Sequence, residues 1–189
     1  MRSLIGALAV MAMATGPAWA AAERYTIDPE YTVPTFEISH LGFTTQRGRF
    51  NRATGNVVLD FAAGKGSVEL IIDTTSIDMS SAAWSRHLAD PGLFNVDKYP
   101  TMTFKSSNLT FKDGKVVAAD GELTLVGITK PVHLTVTGFR CLTDSDSKKI
   151  VCGANVSANI KRSEFGLTKY IPEVSDDITV RVPVEAVKN

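Results

Sequence analysis

The stretch "DGELTLVGITKPVHLTV", Asp120–Val136, carries two alternating runs separated by a turn. Leu123 and Leu125 alternate with Glu122, Thr124 and Val126, and Val132, Leu134 and Val136 alternate with His133, Thr135 and Thr137. A period of two puts successive side chains on opposite faces of a strand, so each run has one apolar face to bury. The same period recurs in both directions. Phe36, Ile38 and His40 share a face against Thr35, Glu37 and Ser39. Val68, Leu70 and Ile72 oppose Glu69, Ile71 and Asp73, and Ile178, Val180, Val182 and Val184 oppose Thr179, Arg181, Pro183 and Glu185. Turn signals stand between the runs: Ala53-Thr54-Gly55-Asn56, Ala63-Gly64-Lys65-Gly66, Lys112-Asp113-Gly114-Lys115 and Asp144 to Lys148. Asp113-Gly114 is a strong hairpin signal. The count is about eight strand segments. Their short connections imply antiparallel neighbours. No set of amphipathic helices is available to cover the apolar faces, so the sheet must fold on itself, as a sandwich or a closed barrel. A barrel removes exposed edges, and at eight strands its interior is either filled by side chains or holds one small ligand.

The N-terminus has a different pattern. Arg2 precedes an uncharged apolar run, Leu4 to Ala14; Gly16-Pro17 breaks it, and Ala18-Trp19-Ala20 is a small-x-small cleavage signal. Residues 1–20 read as a secretory signal peptide, too short to span a bilayer, and residues 21–189 as a single exported domain, periplasmic or secreted. The chain has 20 basic and 20 acidic residues, a balance that argues against a nucleic-acid partner. The two cysteines, Cys141 and Cys152, flank a polar hairpin tip. Folding the hairpin about Asp146-Ser147 sets them opposite each other, which predicts a structural disulfide in an oxidising compartment.

Six ordered motifs give the chain a resemblance: "YTIDPEYT" from Tyr25, "FEISHLGFTTQRGRF" from Phe36, "GSVELIIDTTSID" from Gly66, "RHLADPGLFNVDKYPTMTFKSS" from Arg86, the stretch from Asp120 quoted above, and "IKRSEFGL" from Ile160. Together they resemble the YceI-like family of exported lipocalin-like proteins. The resemblance implies an eight-stranded antiparallel, lipocalin-like β-barrel. It also implies an amphipathic polyisoprenoid as ligand, with a quinone-type chain among the candidates, and a homodimer as a candidate assembly. Tyr31-Thr32 stands where the family often has His-Ser, which removes an imidazole. Trp84-Ser85 stands where many members have Arg-Asp, which adds apolar bulk near the expected mouth.

A barrel has open ends, and the segment Ser85–Phe104 reads as a short helical lip over one of them. Leu88, Leu93 and Phe94 face inward, Arg86, Asp90 and Asp97 face water, and Asp90-Pro91-Gly92 ends the helix. The lip is expected to gate the cavity. The candidate ligand-binding residues are Phe36, Ile38, His40, Phe50 and Phe104 on strands and Trp84, His87, Leu88, Leu93 and Phe94 at the lip. His87 could hydrogen-bond a head group, while His133 falls on a polar face. The histidine spacing fits no zinc motif, no G-x-S-x-G nucleophile motif occurs, and no cofactor is expected. Gly48 leaves room on the inward face, and Arg47, Arg49 and Arg52 form a basic patch. That patch either meets anionic lipid heads in a transient membrane contact or is a solvated face with acidic neighbours.

The reading is a non-enzymatic carrier or reservoir for one amphipathic lipid. Its rivals are an enzyme or electron-transfer accessory acting on a bound quinone, and a stress-related interaction protein whose barrel is filled by its own side chains.

Overall fold

Period-two patterning produces eleven strands and one α-helix in the computed structural model, which describes residues 22–189. The expected signal peptide lies outside those residues. The strands are β1 (Glu23–Ile27), β2 (Thr35–His40), β3 (Thr44–Phe50), β4 (Ala53–Asp60), β5 (Lys65–Asp73), β6 (Ile77–Asp78), β7 (Thr101–Lys112), β8 (Lys115–Leu125), β9 (Ile128–Thr143), β10 (Ile150–Lys161) and β11 (Val174–Lys188). The helix α1 spans Ala82–Ala89.

Strands β1-β4-β5-β7-β8-β9-β10-β11 follow one another, and β11 pairs back with β1, so eight antiparallel strands close a barrel. The other three form a flap. The closing strand explains why. β11 is 15 residues long and β1 only five. Its C-terminal residues Ala186–Lys188 pair with β1, while its N-terminal half, from Val174 to Arg181, needs another partner and takes β2. β3 then pairs with β2, and β6 with β3.

Asp113 and Gly114 both have positive φ, as a tight hairpin turn requires. Two expected turns move. Ala53–Asn56 is the start of β4, and Lys65–Gly66 is the start of β5. Gly55 misled because its reason is proximity, not turning: a Cβ there would strike the Glu69 carbonyl oxygen of β5 and the Ile27 side chain. Cys141 and Cys152 are direct cross-strand partners and form a disulfide. Thr32, in the Tyr31-Thr32 pair, is fully buried. Its hydroxyl donates to the Glu185 carbonyl and accepts from the Glu185 N–H, pinning the β1–β2 connection to β11.

Candidate functional site: an apolar cavity along the barrel

The inward faces do not meet. They leave a cavity of about 210 Å³ that runs the length of the barrel, from Ile160, Leu167 and Ile178 near α1 to Leu109, Val116 and Phe139 at the other end. Many inward-pointing side chains, among them Val57, Leu123, Leu134, Val136, Val156 and Val180, are only half-buried, because they border this space and not other atoms. Small residues on the wall (Ala119, Gly153, Ala154, Ala158 and Ala186) keep it open. Almost every lining group is hydrocarbon. Such a cavity stays dry and accepts apolar guests.

The mouth beside α1 is built from Phe36, Phe50 and Phe94, with ring centroids 5.5–6.5 Å apart. α1 is only eight residues long, has no side-chain cap at Ser81 and buries no residue fully. A helix of that length is not stable alone. It is held by Leu88 packing on the core and by Ser85, whose hydroxyl accepts from the Met79 N–H and donates to the Ser81 carbonyl. His87 sits on its exposed side. The Tyr170 hydroxyl is 3.1 Å from His87 Nε2, and Asp90 Oδ2 is 3.7 Å from His87 Nδ1. Tyr170 belongs to the β10–β11 connection, which is organised by Arg162. Arg162 is 4% exposed. It donates to the carbonyls of Ser175, Leu167, Lys169 and Val174 and, among the described residues, is in no ion pair, the Asp176 carboxylate acting on it only at longer range. Burial holds its pKa below the usual arginine value.

The profile of the YceI-like domain matches residues 25–186 of this chain. The chain belongs to the YceI-like family. A UPF0312 protein of Pectobacterium atrosepticum is 30% identical over 99% of this chain and 97% of its own length. One from Enterobacter sp. strain 638 is 31% identical over the same shares. The crystal structure of the Campylobacter jejuni YceI protein has a TM-score of 0.67 at 26% identity, covering 80% of this chain and 90% of that one. The Burkholderia cenocepacia protein BcnA shares the fold, with a TM-score of 0.70 at 23% identity over 84% of this chain and 98% of its own. So does a domain from Saccharophagus degradans described as polyisoprenoid binding, with a TM-score of 0.63 at 17% identity over 87% of this chain and 98% of its own.

Within this YceI-like barrel the candidate residues divide. Phe36, Phe50, Phe94 and Phe104 line the cavity. Leu93 is buried and Leu88 packs half-buried against the core, but neither lines the cavity. Trp84, 47% exposed, and His87 stand on the outside of α1. Ile38 and His40 correct the expectation of an interior position. They share the face of Phe36, but β2 belongs to the flap, and neither lines the cavity: Ile38 pairs with Ile178 at its α1 end, and His40 lies further out. Gly48 leaves no room for a guest, because a Cβ there would strike the Phe36 ring and the Met79 sulfur. The basic patch is neutralised: Arg47 pairs with Glu37, Arg49 with Asp78 and Arg52 with Asp73. His133, as expected on a polar face, is exposed and pairs with Asp120 at 2.7 Å. Arg162 and Tyr170 were not anticipated. Arg162 lies in the quoted motif "IKRSEFGL", yet its partners are carbonyls that leave no trace in side-chain identity.

Proposed function

We propose that the chain is an exported binding protein that holds one amphipathic polyisoprenoid inside its barrel, as a carrier or reservoir and not as an enzyme. The observation that carries this reading is the unfilled hydrocarbon cavity, bordered by half-buried apolar side chains along the whole barrel. The polyisoprenoid-binding description of the Saccharophagus domain, which has the same fold, agrees with it. The disulfide and the pattern of residues 1–20 support export to an oxidising compartment.

Each CH₂ taken from water into such a cavity contributes roughly 0.8 kcal/mol. A chain already in a bilayer is not in water, so transfer from a membrane gains little by that route. Selectivity must come from shape and from the head group, which favours a protein that exchanges its ligand. The cavity is smaller than the ~300–1,000 Å³ of pockets for drug-sized ligands. A long chain therefore fills it only by displacing the aromatic side chains at one of its ends.

One observation favours a second reading. Tyr170, His87 and Asp90 converge beside the lip, a set of groups that could move a proton at a quinone head. Mass spectrometry of an organic extract of the purified protein tests both readings. A co-purifying isoprenoid is the expected result. A redox-active quinone whose reduction slows in His87→Ala would move the assignment to the second reading. A protein that yields no lipid and takes up none from vesicles ends both.

A further inference from the structure

The two mouths of the barrel are closed differently. At the α1 mouth the cover is deep. Phe94 packs on Phe36 and Phe50, buried Leu93, Phe165 and Leu167 lie at the same end, and Arg162 ties down the β10–β11 connection. At the opposite mouth the cover is thin. Phe61 leaves the β4–β5 turn, and its ring centroid stands 6.2 Å from that of Phe111 on β7 and 6.3 Å from that of Phe139 on β9. In the closed ring of eight strands β4 and β9 are diametrically opposed. Phe61 therefore reaches across the mouth. Phe139 lines the cavity, and Phe61 is 38% exposed, so one aromatic layer separates the interior from water.

The chemistry around this layer is distinctive. The hairpin tips at this mouth, with their flanking strand ends, carry Lys65, Lys112, Lys115, Arg140, Lys148 and Lys149. Among the described residues none of these six is in an ion pair. The acids on the same tips are Asp60, Asp113, Asp144 and Asp146, and two of them are turned to backbone: Asp60 accepts from the Ala63 N–H and Asp144 from the Ser147 N–H. The β9–β10 hairpin adds exposed apolar groups, Leu142 at 45% and Ile150 at 36%. It runs past the rim. β9 pairs with β8 only as far as Ala118↔Thr135, but with β10 as far as Thr143↔Ile150, and the disulfide ties the two projecting arms together. Long cationic side chains around exposed apolar tips suit an anionic lipid surface: the charges meet phosphates while the apolar tips enter the acyl boundary. The lip end also exposes apolar groups, Leu41, Phe43, Trp84 and Tyr170, but there Arg86 and Lys169 are outnumbered by Asp90, Glu164 and Glu173.

We propose that the mouth opposite α1 docks on an anionic phospholipid bilayer and that Phe61 is the gate through which a lipid chain enters the barrel. The gate rests on the chain-binding function proposed above; the docking does not. Flotation of the purified protein with vesicles of phosphatidylglycerol and phosphatidylcholine, against phosphatidylcholine alone, reads the docking. Binding should need the anionic lipid. Each Lys should contribute about fivefold, so Lys112→Glu/Lys115→Glu/Lys149→Glu should lower it more than tenfold, while Phe43→Ser/Trp84→Ser should float like the parent. Equal binding to neutral vesicles, an unaffected triple variant, or loss in the Phe43/Trp84 variant overturns the docking surface. Transfer of a dansyl-tagged farnesyl chain from vesicles reads the gate. Phe61→Ala should keep the docking and speed uptake at least threefold, and unchanged uptake overturns the gate. Charge-dependent flotation by a protein that takes up no chain would sink the chain-binding reading and the gate and leave the docking surface standing.

Discussion

Arg162 sits among four carbonyl oxygens in a site closed to water. A buried cation in no ion pair is tolerable because each nitrogen of its fork donates to a carbonyl, with the Asp176 carboxylate acting at longer range. Removing it leaves several buried acceptors without donors, each costing about 1–3 kcal/mol. Arg162→Met should therefore lose at least ~3 kcal/mol in urea unfolding. Arg162→Lys should recover only part, since an ammonium cannot match a planar fork spread over four acceptors. A Met variant within about 1 kcal/mol of the parent would show that the connection does not depend on this pin. The sequence displayed the arginine but not its purpose, because carbonyls from Leu167 to Ser175 have no residue signature. The same limit appears at Ile38. Parity assigns a side chain to a face, which placed Phe36 and Phe50 correctly. It says nothing of where along the strand the cavity stops.

The β9–β10 hairpin and the β2–β3–β6 flap were legible to different degrees. Alternation and a polar tip sufficed for the hairpin and for its disulfide, since register follows from folding about the turn. Replacing both Cys141 and Cys152 by Ser should cost roughly 2–3 kcal/mol, read as a lowered urea midpoint. An unchanged midpoint would mean that the strand pairing alone fixes the reduced chain. The flap was not legible, because β11 changes partner along its length, and no local pattern announces that. Its outer face is held by Glu37–Arg47 and Asp78–Arg49. The Arg47 hydrogen bond holds the Glu37 carboxyl below its ordinary value; the Ser80 N–H, followed by Arg49, does the same for Asp78. A carboxyl depressed in the fold adds stability that is fully present above its unfolded value, near 4, and is lost as pH falls through its folded value. Both pairs are exposed, so the effect is local and small. Exchange protection in β2, β3 and β6, corrected for intrinsic rates, should fall below pH ~4 before that of β7–β10. Simultaneous loss in flap and barrel would contradict this order.

The closed barrel as a whole poses one question above the rest, whether its interior is space for a guest or a core that packs imperfectly. Eight strands are compatible with either. The half-buried state of so many inward aliphatics favours a guest, because a packed interior at ordinary density leaves few voids larger than a water. Leu134 is the position to probe. It lies mid-strand on β9, lines the cavity, and faces Ala119 across the β8–β9 pair. Its neighbours are small enough for an indole to turn into the empty volume. In a filled core Leu134→Trp would overpack and cost about 1–3 kcal/mol. In a lined cavity the added ring occupies space that was already open, so the melting temperature should stay within about 2–3 °C of the parent while bound isoprenoid disappears. Both quantities must be read on the same preparation. Lost lipid with retained melting establishes a ligand cavity. A lowered melting point, with no lipid in parent or variant, makes the interior a loosely packed core and removes the basis for a carrier.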